Sequence, residues 1–129
     1  MNYGHGYRAP RRNKYGARSG DGFDSQKEKA RYEELKLMEK AGIICCLKRQ
    51  VEFELIPTIR EPDTIGPKGG RKKGKVIEKG AHYTADFTYY MGGEYIVEDC
   101  KSEATKKLPD YVLRRKMMLY LRGIRIYET

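Results

Sequence analysis

Two carboxylates and a lysine, Asp86, Asp99 and Lys101, lie in a stretch whose residue types specify a hairpin. Residues 83–101 are rich in Tyr, Thr, Val and Ile, which suit strands, and Gly92-Gly93 interrupts them with a pair that tolerates the positive φ of a two-residue turn. With that turn Met91 faces Glu94, and counting outward sets Asp86 opposite Asp99 and Thr84 opposite Lys101. Directly opposed side chains have Cβ atoms about 5 Å apart, and like charges there are destabilising. A divalent cation is a physical reason for such a pair, because carboxylate oxygens are its ligands. Side chains alternate faces along a strand, so Lys101 joins Asp86 and Asp99. A metal site with an ammonium group beside it suits phosphodiester hydrolysis. The same residues also suit a solvated hairpin face on which Asp99 and Lys101 partly neutralise each other, and hairpin geometry leaves both readings open. A one-residue slip would replace Asp99 with Glu98 and take Lys101 off that face. The alternation of Asp99 and Lys101 favours the first register.

The elements that must hold these residues follow from pattern. Ser25 and Glu28 have the spacing of a capping box, and residues 28–40 are rich in helix formers. Ala30, Leu35, Leu37, Met38 and Ala41 supply an apolar stripe, and Gly42 a stop. Glu28, Tyr32 and Leu35 share one helical face, so Glu28 can point inward. Residues 51–56 alternate as a strand that Pro57 ends. Residues 58–80 read as a long basic loop, in part a hairpin extension. Pro109 suits the first turn of a helix over residues 110–122, with Leu113, Met117, Tyr120 and Leu121 as its buried stripe and Gly123 as its end. Residues 124–127 make a last short strand. The expected order is α-β-β-β-α-β, an α/β fold with a central mixed sheet and flanking helices.

The chain has 129 residues and a net charge of +9, enough for one domain. Five basic residues and no acid fall in residues 1–20, among them Arg11, Arg12 and Lys14. Five more, Lys68, Arg71, Lys72, Lys73 and Lys75, fall in residues 66–75, again with no acid. The basic excess thus sits in a tail over residues 1–22, expected to be disordered, and in the loop of a single domain over residues 23–129. Such segments suit a polyanion, above all nucleic acid held by its phosphates. Arg114 and Arg115 on the second helix suit either phosphate contact or an ordinary solvated face. No apolar run approaches the roughly 20 residues that span a bilayer, and the N-terminus lacks the apolar core of a signal peptide. A cytoplasmic protein without a membrane partner is the expectation. Cys45, Cys46 and Cys100 lack the spacing of a zinc site and read as small, reduced, buried residues. His82 falls on the expected face of Asp86, where a packing role is the commoner one.

Taken in order, these motifs resemble the PD-(D/E)XK nuclease superfamily. Within it the chain looks like a small phage and prophage family described as Holliday-junction-resolvase-like endonucleases. The resemblance spans about residues 13–128. It rests on Asn13-Lys14-Tyr15, residues 23–28, residues 31–35, Phe53-Glu54-Leu55-Ile56-Pro57, Tyr83-Thr84-Ala85-Asp86-Phe87 and Val97-Glu98-Asp99-Cys100-Lys101. It implies a restriction-endonuclease-like core. Asp86 becomes the metal-binding Asp, Asp99 and Lys101 the (D/E)xK pair, and Glu28 the helix-borne acid. It further implies Mg²⁺, with Mn²⁺ able to substitute, a DNA substrate that is branched or duplex, and a phage- or prophage-encoded enzyme acting in the bacterial cytoplasm. A resolvase role would imply a homodimer, since two strands are cut symmetrically. Two departures stand out: Ala85 replaces the Pro before Asp86, and the segment from Arg60 to Lys79 is longer and more basic than a hairpin connection needs. A non-catalytic basic nucleic-acid-binding module, or a structural phage protein whose tail touches packaged DNA, is the alternative. Neither explains the facing carboxylates.

Overall fold

The computed structural model describes residues 25–129. Arg11, Arg12, Lys14 and the rest of the expected tail lie outside the described residues. Helix α1 (Gln26–Lys40) starts where Ser25, in extended conformation, accepts the Glu28 N–H at 3.1 Å, and Gly42 at φ 78° follows its end. Its inward face is Glu28, Arg31, Tyr32, Leu35 and Met38; Leu37 is exposed, and Ala30 and Ala41 also lie outside. The helix is thus turned onto the face of Glu28, Tyr32 and Leu35, and the apolar stripe expected over Ala30, Leu37 and Ala41 is not the buried one.

Strand β1 (Ile44–Ile56) is longer than the alternating segment alone, because two non-glycine residues at positive φ, Cys46 (60°) and Gln50 (50°), bend it without ending it. The basic segment that follows is an arm, in which the expected hairpin extension is present as two short strand pairs. Strands β2 (Ile59–Arg60) and β5 (Val76–Glu78) pair antiparallel, as do β3 (Thr64–Ile65) and β4 (Arg71–Lys72). Asp63 stitches it together, accepting from Arg71 Nε at 2.7 Å and from the Gly74 N–H at 2.9 Å. Gly74 is required there, since a Cβ would lie 1.8 Å from the Glu61 carbonyl oxygen.

Strands β6 (Ala81–Met91) and β7 (Glu94–Asp99) form the expected hairpin, with Gly92 and Gly93 both at positive φ and pairs running from Met91–Glu94 to Phe87–Glu98. After a short helix α2 (Glu103–Lys106), α3 (Pro109–Arg122) begins on Pro109 and ends on Gly123 at φ 64°. Strand β8 (Tyr127–Glu128) lies parallel to β7. The sheet order is β1-β6-β7-β8, a mixed four-stranded sheet with helices on both faces. Leu35 meets Ile44, Phe87 and Tyr89 on the α1 side. Tyr111 and Met118 meet Leu55, Tyr83, Ala85, Val97 and Ile126 on the α3 side.

Helix α3 is rotated from the expected orientation: Tyr111 and Met118 are buried, whereas Leu113, Tyr120 and Leu121 are exposed. Both stripes have helical spacing. Polar anchors select between them: Tyr111 Oη to Glu128 at 3.0 Å, Arg114 Nε to the His82 carbonyl at 3.0 Å and Arg122 to the Glu54 carbonyl at 2.8 Å. The cysteines differ too. Cys45 and Cys46 are exposed at the bend in β1, with their sulfurs 3.6 Å apart, and Cys100 is half-buried. Among the described residues no helix is long and apolar enough to cross a membrane.

Candidate active site

The hairpin ladder is regular up to Phe87–Glu98, and the next two residues are the two aspartates. There the alternation of β6 resets: Tyr83 and Ala85 belong to the core under α3, Phe87 and Tyr89 to the core under α1. Gln50, with its left-handed backbone, falls at the missing pairing position across β1, between Arg49–Phe87 and Val51–Ala85. The reset decides which neighbours join the site. Tyr83, not His82 or Thr84, reaches Asp99. His82 is exposed, 3.7 Å from Glu52, and takes no part.

Asp99 is fully buried. Its Oδ2 accepts from Tyr83 Oη at 2.6 Å. Its Oδ1 has no aligned hydrogen bond among the described residues, although Lys101 Nζ lies 3.2 Å away as an ion-pair partner. Lys101 also sits 5.3 Å above the Tyr111 ring, which holds the ammonium against the site. Asp86 is buried; its Oδ2 accepts the Cys100 N–H at 2.8 Å and its Oδ1 faces Gln50 Nε2 at 3.4 Å. Glu28 is buried in the first turn of α1, where its Oε1 accepts from Gln50 Nε2 at 3.0 Å. One amide therefore bridges the helix-borne acid and the hairpin acid. The capping role of Glu28 is carried by its backbone N–H, which frees its carboxylate to face the sheet.

Burial pushes the Asp86 carboxyl up to about 8, with Asp99 next, as a hydrogen-bonding and like-charged neighbour, and Glu28 adding to it. The Cys100 N–H works in the opposite direction. Burial and Asp99 push the Tyr83 hydroxyl far above its ordinary range, so it stays a donor. The cluster thus holds a proton where a cation would relieve the same repulsion.

Glu98, the carboxylate of the alternative register, points to the opposite face. It is fully buried and accepts from Arg31 Nε at 2.6 Å. Lys68, Arg71, Lys72 and Lys73 lie on the arm, all exposed, with Arg71 tied to Asp63. Arg114 is held by the His82 carbonyl and Asp110, and Arg115 lies 3.4 Å from Glu128. Gln50 and Tyr83 were not singled out by the sequence pattern. Only the face reset brings them in, and no glycine marks the positive φ at Gln50.

Among the described residues no three His, Cys, Asp or Glu side chains are grouped tightly enough to cage a metal ion by themselves. Mg²⁺ does not require such a cage. It is bound by one or two carboxylates and keeps waters and phosphate oxygens for its other positions. Asp86 and Asp99 offer hard oxygen donors, including the buried Asp99 Oδ1 that lacks a hydrogen bond. The donor set therefore fits that ion.

Residues 12–126 match the family model described as Protein of unknown function (DUF1064). No curated protein and no solved structure matches the chain.

Proposed function

We propose that this chain, which belongs to the DUF1064 family, is a Mg²⁺-dependent endonuclease with a restriction-endonuclease-like core that hydrolyses DNA phosphodiester bonds. Branched, Holliday-type junctions are its proposed substrate, a homodimer its acting form and the bacterial cytoplasm its place of action. The observation that carries this reading is the buried convergence of Asp86 and Asp99 beside Lys101, with Glu28 brought in through Gln50. Two buried carboxylates side by side are costly unless they share a proton or a cation.

Asp86 and Asp99 would hold the metal, and Glu28 would contact it directly or through water. When bound, the ion supplies an activated water and neutralises charge on the phosphate. The chain's own residues do the rest. Tyr83 fixes one oxygen of Asp99, so that Oδ1 alone turns toward Lys101. Lys101 donates to the attacking water or to a phosphate oxygen as negative charge builds there. The Cys100 N–H fixes one oxygen of Asp86. Lys68, Lys72 and Lys73 on the arm offer exposed cations to DNA phosphates, and Arg114 and Arg115 beside the sheet, half-buried and each held by an acid, would add to them.

The test is cleavage of a labelled four-way junction and a matched duplex, with Mg²⁺ or EDTA, beside Asp99→Asn. Paired cuts on the junction that require Mg²⁺ and vanish in the variant are expected. Cleavage retained by Asp99→Asn removes Asp99 from the site. Binding without cleavage under any divalent ion favours a non-catalytic nucleic-acid-binding module, which the exposed arm would serve equally well.

A further inference from the structure

On the α3 side of the sheet, β7, β8 and the C-terminal half of α3 enclose an open groove of about 1150 Å³. That is larger than the roughly 300–1,000 Å³ of a small-molecule pocket. Its lining includes Tyr95, Arg115, Lys116, Arg125 and Tyr127, with Glu94 and Glu128 as the opposing acids. Tyr95 and Tyr127 are both exposed. Tyr95 is braced on Tyr90 at 5.0 Å between ring centroids, so its free face is a rigid platform. Lys116 and Arg125 are exposed, and neither is engaged in an ion pair with a described residue.

The groove adjoins the carboxylate cluster through Glu128, which lines it. Asp99 and Glu128 are cross-strand partners, about 4.8 Å apart across the ladder. Tyr111 bridges the two sides, donating to Glu128 Oε2 at 3.0 Å while its ring lies under Lys101. Asp99 and Tyr95 are four residues apart on β7, about 13 Å along the strand.

We propose that this groove binds an unpaired stretch of DNA adjoining the bond to be cut. Aromatic faces with unpaired cations between them are how a single strand is held: bases stack on the rings, and phosphates meet the cations. A base inside a duplex cannot present its face to Tyr95 or Tyr127. The groove therefore selects substrates with a single-stranded branch or an opened junction arm over intact duplex. The direction of this inference rests on the nuclease reading, because it is the position of Asp99 that makes the strand a substrate.

The experiment separates the two. Full-length protein in EDTA is titrated with an oligothymidylate carrying 2-aminopurine, whose fluorescence reports stacking, and with a duplex of equal length. The variants are Tyr95→Ala and the pair Lys116→Gln/Arg125→Gln, all surface positions, checked for an unchanged melting temperature. The expected result is a loss of roughly tenfold or more in single-strand affinity for either variant, with the stacking signal reduced in Tyr95→Ala, where Tyr127 remains, and duplex affinity nearly unchanged. Single-strand binding that is absent, or that both variants leave intact, overturns the proposal. Because the binding readout needs no metal, a wild-type chain that binds the strand in EDTA but cleaves neither strand nor junction once Mg²⁺ or Mn²⁺ is added refutes the nuclease reading and leaves the groove as a single-strand binding site.

Discussion

Tyr83 Oη lies 2.6 Å from Asp99 Oδ2, sixteen residues away, and donates to a carboxylate that is fully buried. Removing that hydroxyl leaves the buried Asp99 Oδ2 without its donor. Tyr83→Phe should destabilise the metal-free chain by about 1–3 kcal/mol. Added Mg²⁺ should recover part of the loss, since a cation satisfies the freed oxygen. Urea unfolding with and without Mg²⁺ measures both. Unchanged stability in the variant would show that the contact carries no weight.

Asp86 predicts how stability follows pH. Its folded-state pKa is raised to about 8, chiefly by burial and then by Asp99. The folded chain therefore holds this proton more tightly than the unfolded chain, and the associated stability is full below the unfolded value. It is lost as pH rises through about 8. The melting temperature of the metal-free protein should fall between pH 5 and about pH 9, and Asp86→Asn should flatten the fall. Mg²⁺ should oppose it, because metal binding displaces the proton and strengthens as pH rises. A melting temperature independent of pH across that range in EDTA excludes the shift.

Gln50 joins two acids from a backbone at φ 50°, a conformation that costs a non-glycine residue about 1 kcal/mol or more. Gln50→Gly should relieve that cost while losing the bridge. Gln50→Glu should place a further carboxylate between Glu28 and Asp86. Its metal-free form should melt lower than wild type, and its rise in melting temperature on adding Mg²⁺ or Mn²⁺ should be larger. A divalent response equal to wild type in Gln50→Glu would mean that the side chain does not face the ion.

The hairpin explains why so much of this site was legible and why Gln50 was not. Gly92-Gly93 fixes the register, and the pairs from Met91–Glu94 to Phe87–Glu98 follow from counting. Strict alternation was the wrong rule beyond Phe87, where β6 resets and Tyr83 takes the place assigned to Thr84. A left-handed glutamine leaves no mark in composition. The arm was legible only in outline: strands of two or three residues are too short to show a period, so residues 58–80 read as a loop that is in part a hairpin extension, with no strand bounds. On α3 two apolar stripes competed, and only tertiary anchors such as Tyr111–Glu128 decided between them.

Arg31 and Glu98 lock the helix that carries Glu28 to the strand that carries Asp99. Glu98 is fully buried, and its Oε2 has no hydrogen bond among the described residues. Arg31→Met should leave an uncompensated buried carboxylate and cost about 3 kcal/mol. Combining it with Glu98→Leu should restore most of that stability, since an apolar pair needs no desolvated charge. Unfolding curves for the two single variants and the double variant give the coupling directly. Additive losses would mean that the pair does not interact.

The arm should govern affinity rather than chemistry. Lys68, Lys72 and Lys73 are exposed, and none is in an ion pair among the described residues, whereas Arg71 is spent on Asp63 and shapes the arm. Lys68→Gln/Lys72→Gln/Lys73→Gln should therefore keep the arm folded while removing its cations from the DNA phosphates. Neutralising one such lysine should flatten the dependence of log affinity on log salt by about 0.9 for duplex DNA. Neutralising all three predicts a change of roughly 2–3 in that slope, with the cleavage rate at saturating DNA little altered. A slope equal to wild type would place the phosphate-binding cations elsewhere, and a collapsed rate at saturation would mean that the arm positions the scissile bond as well as holding the duplex.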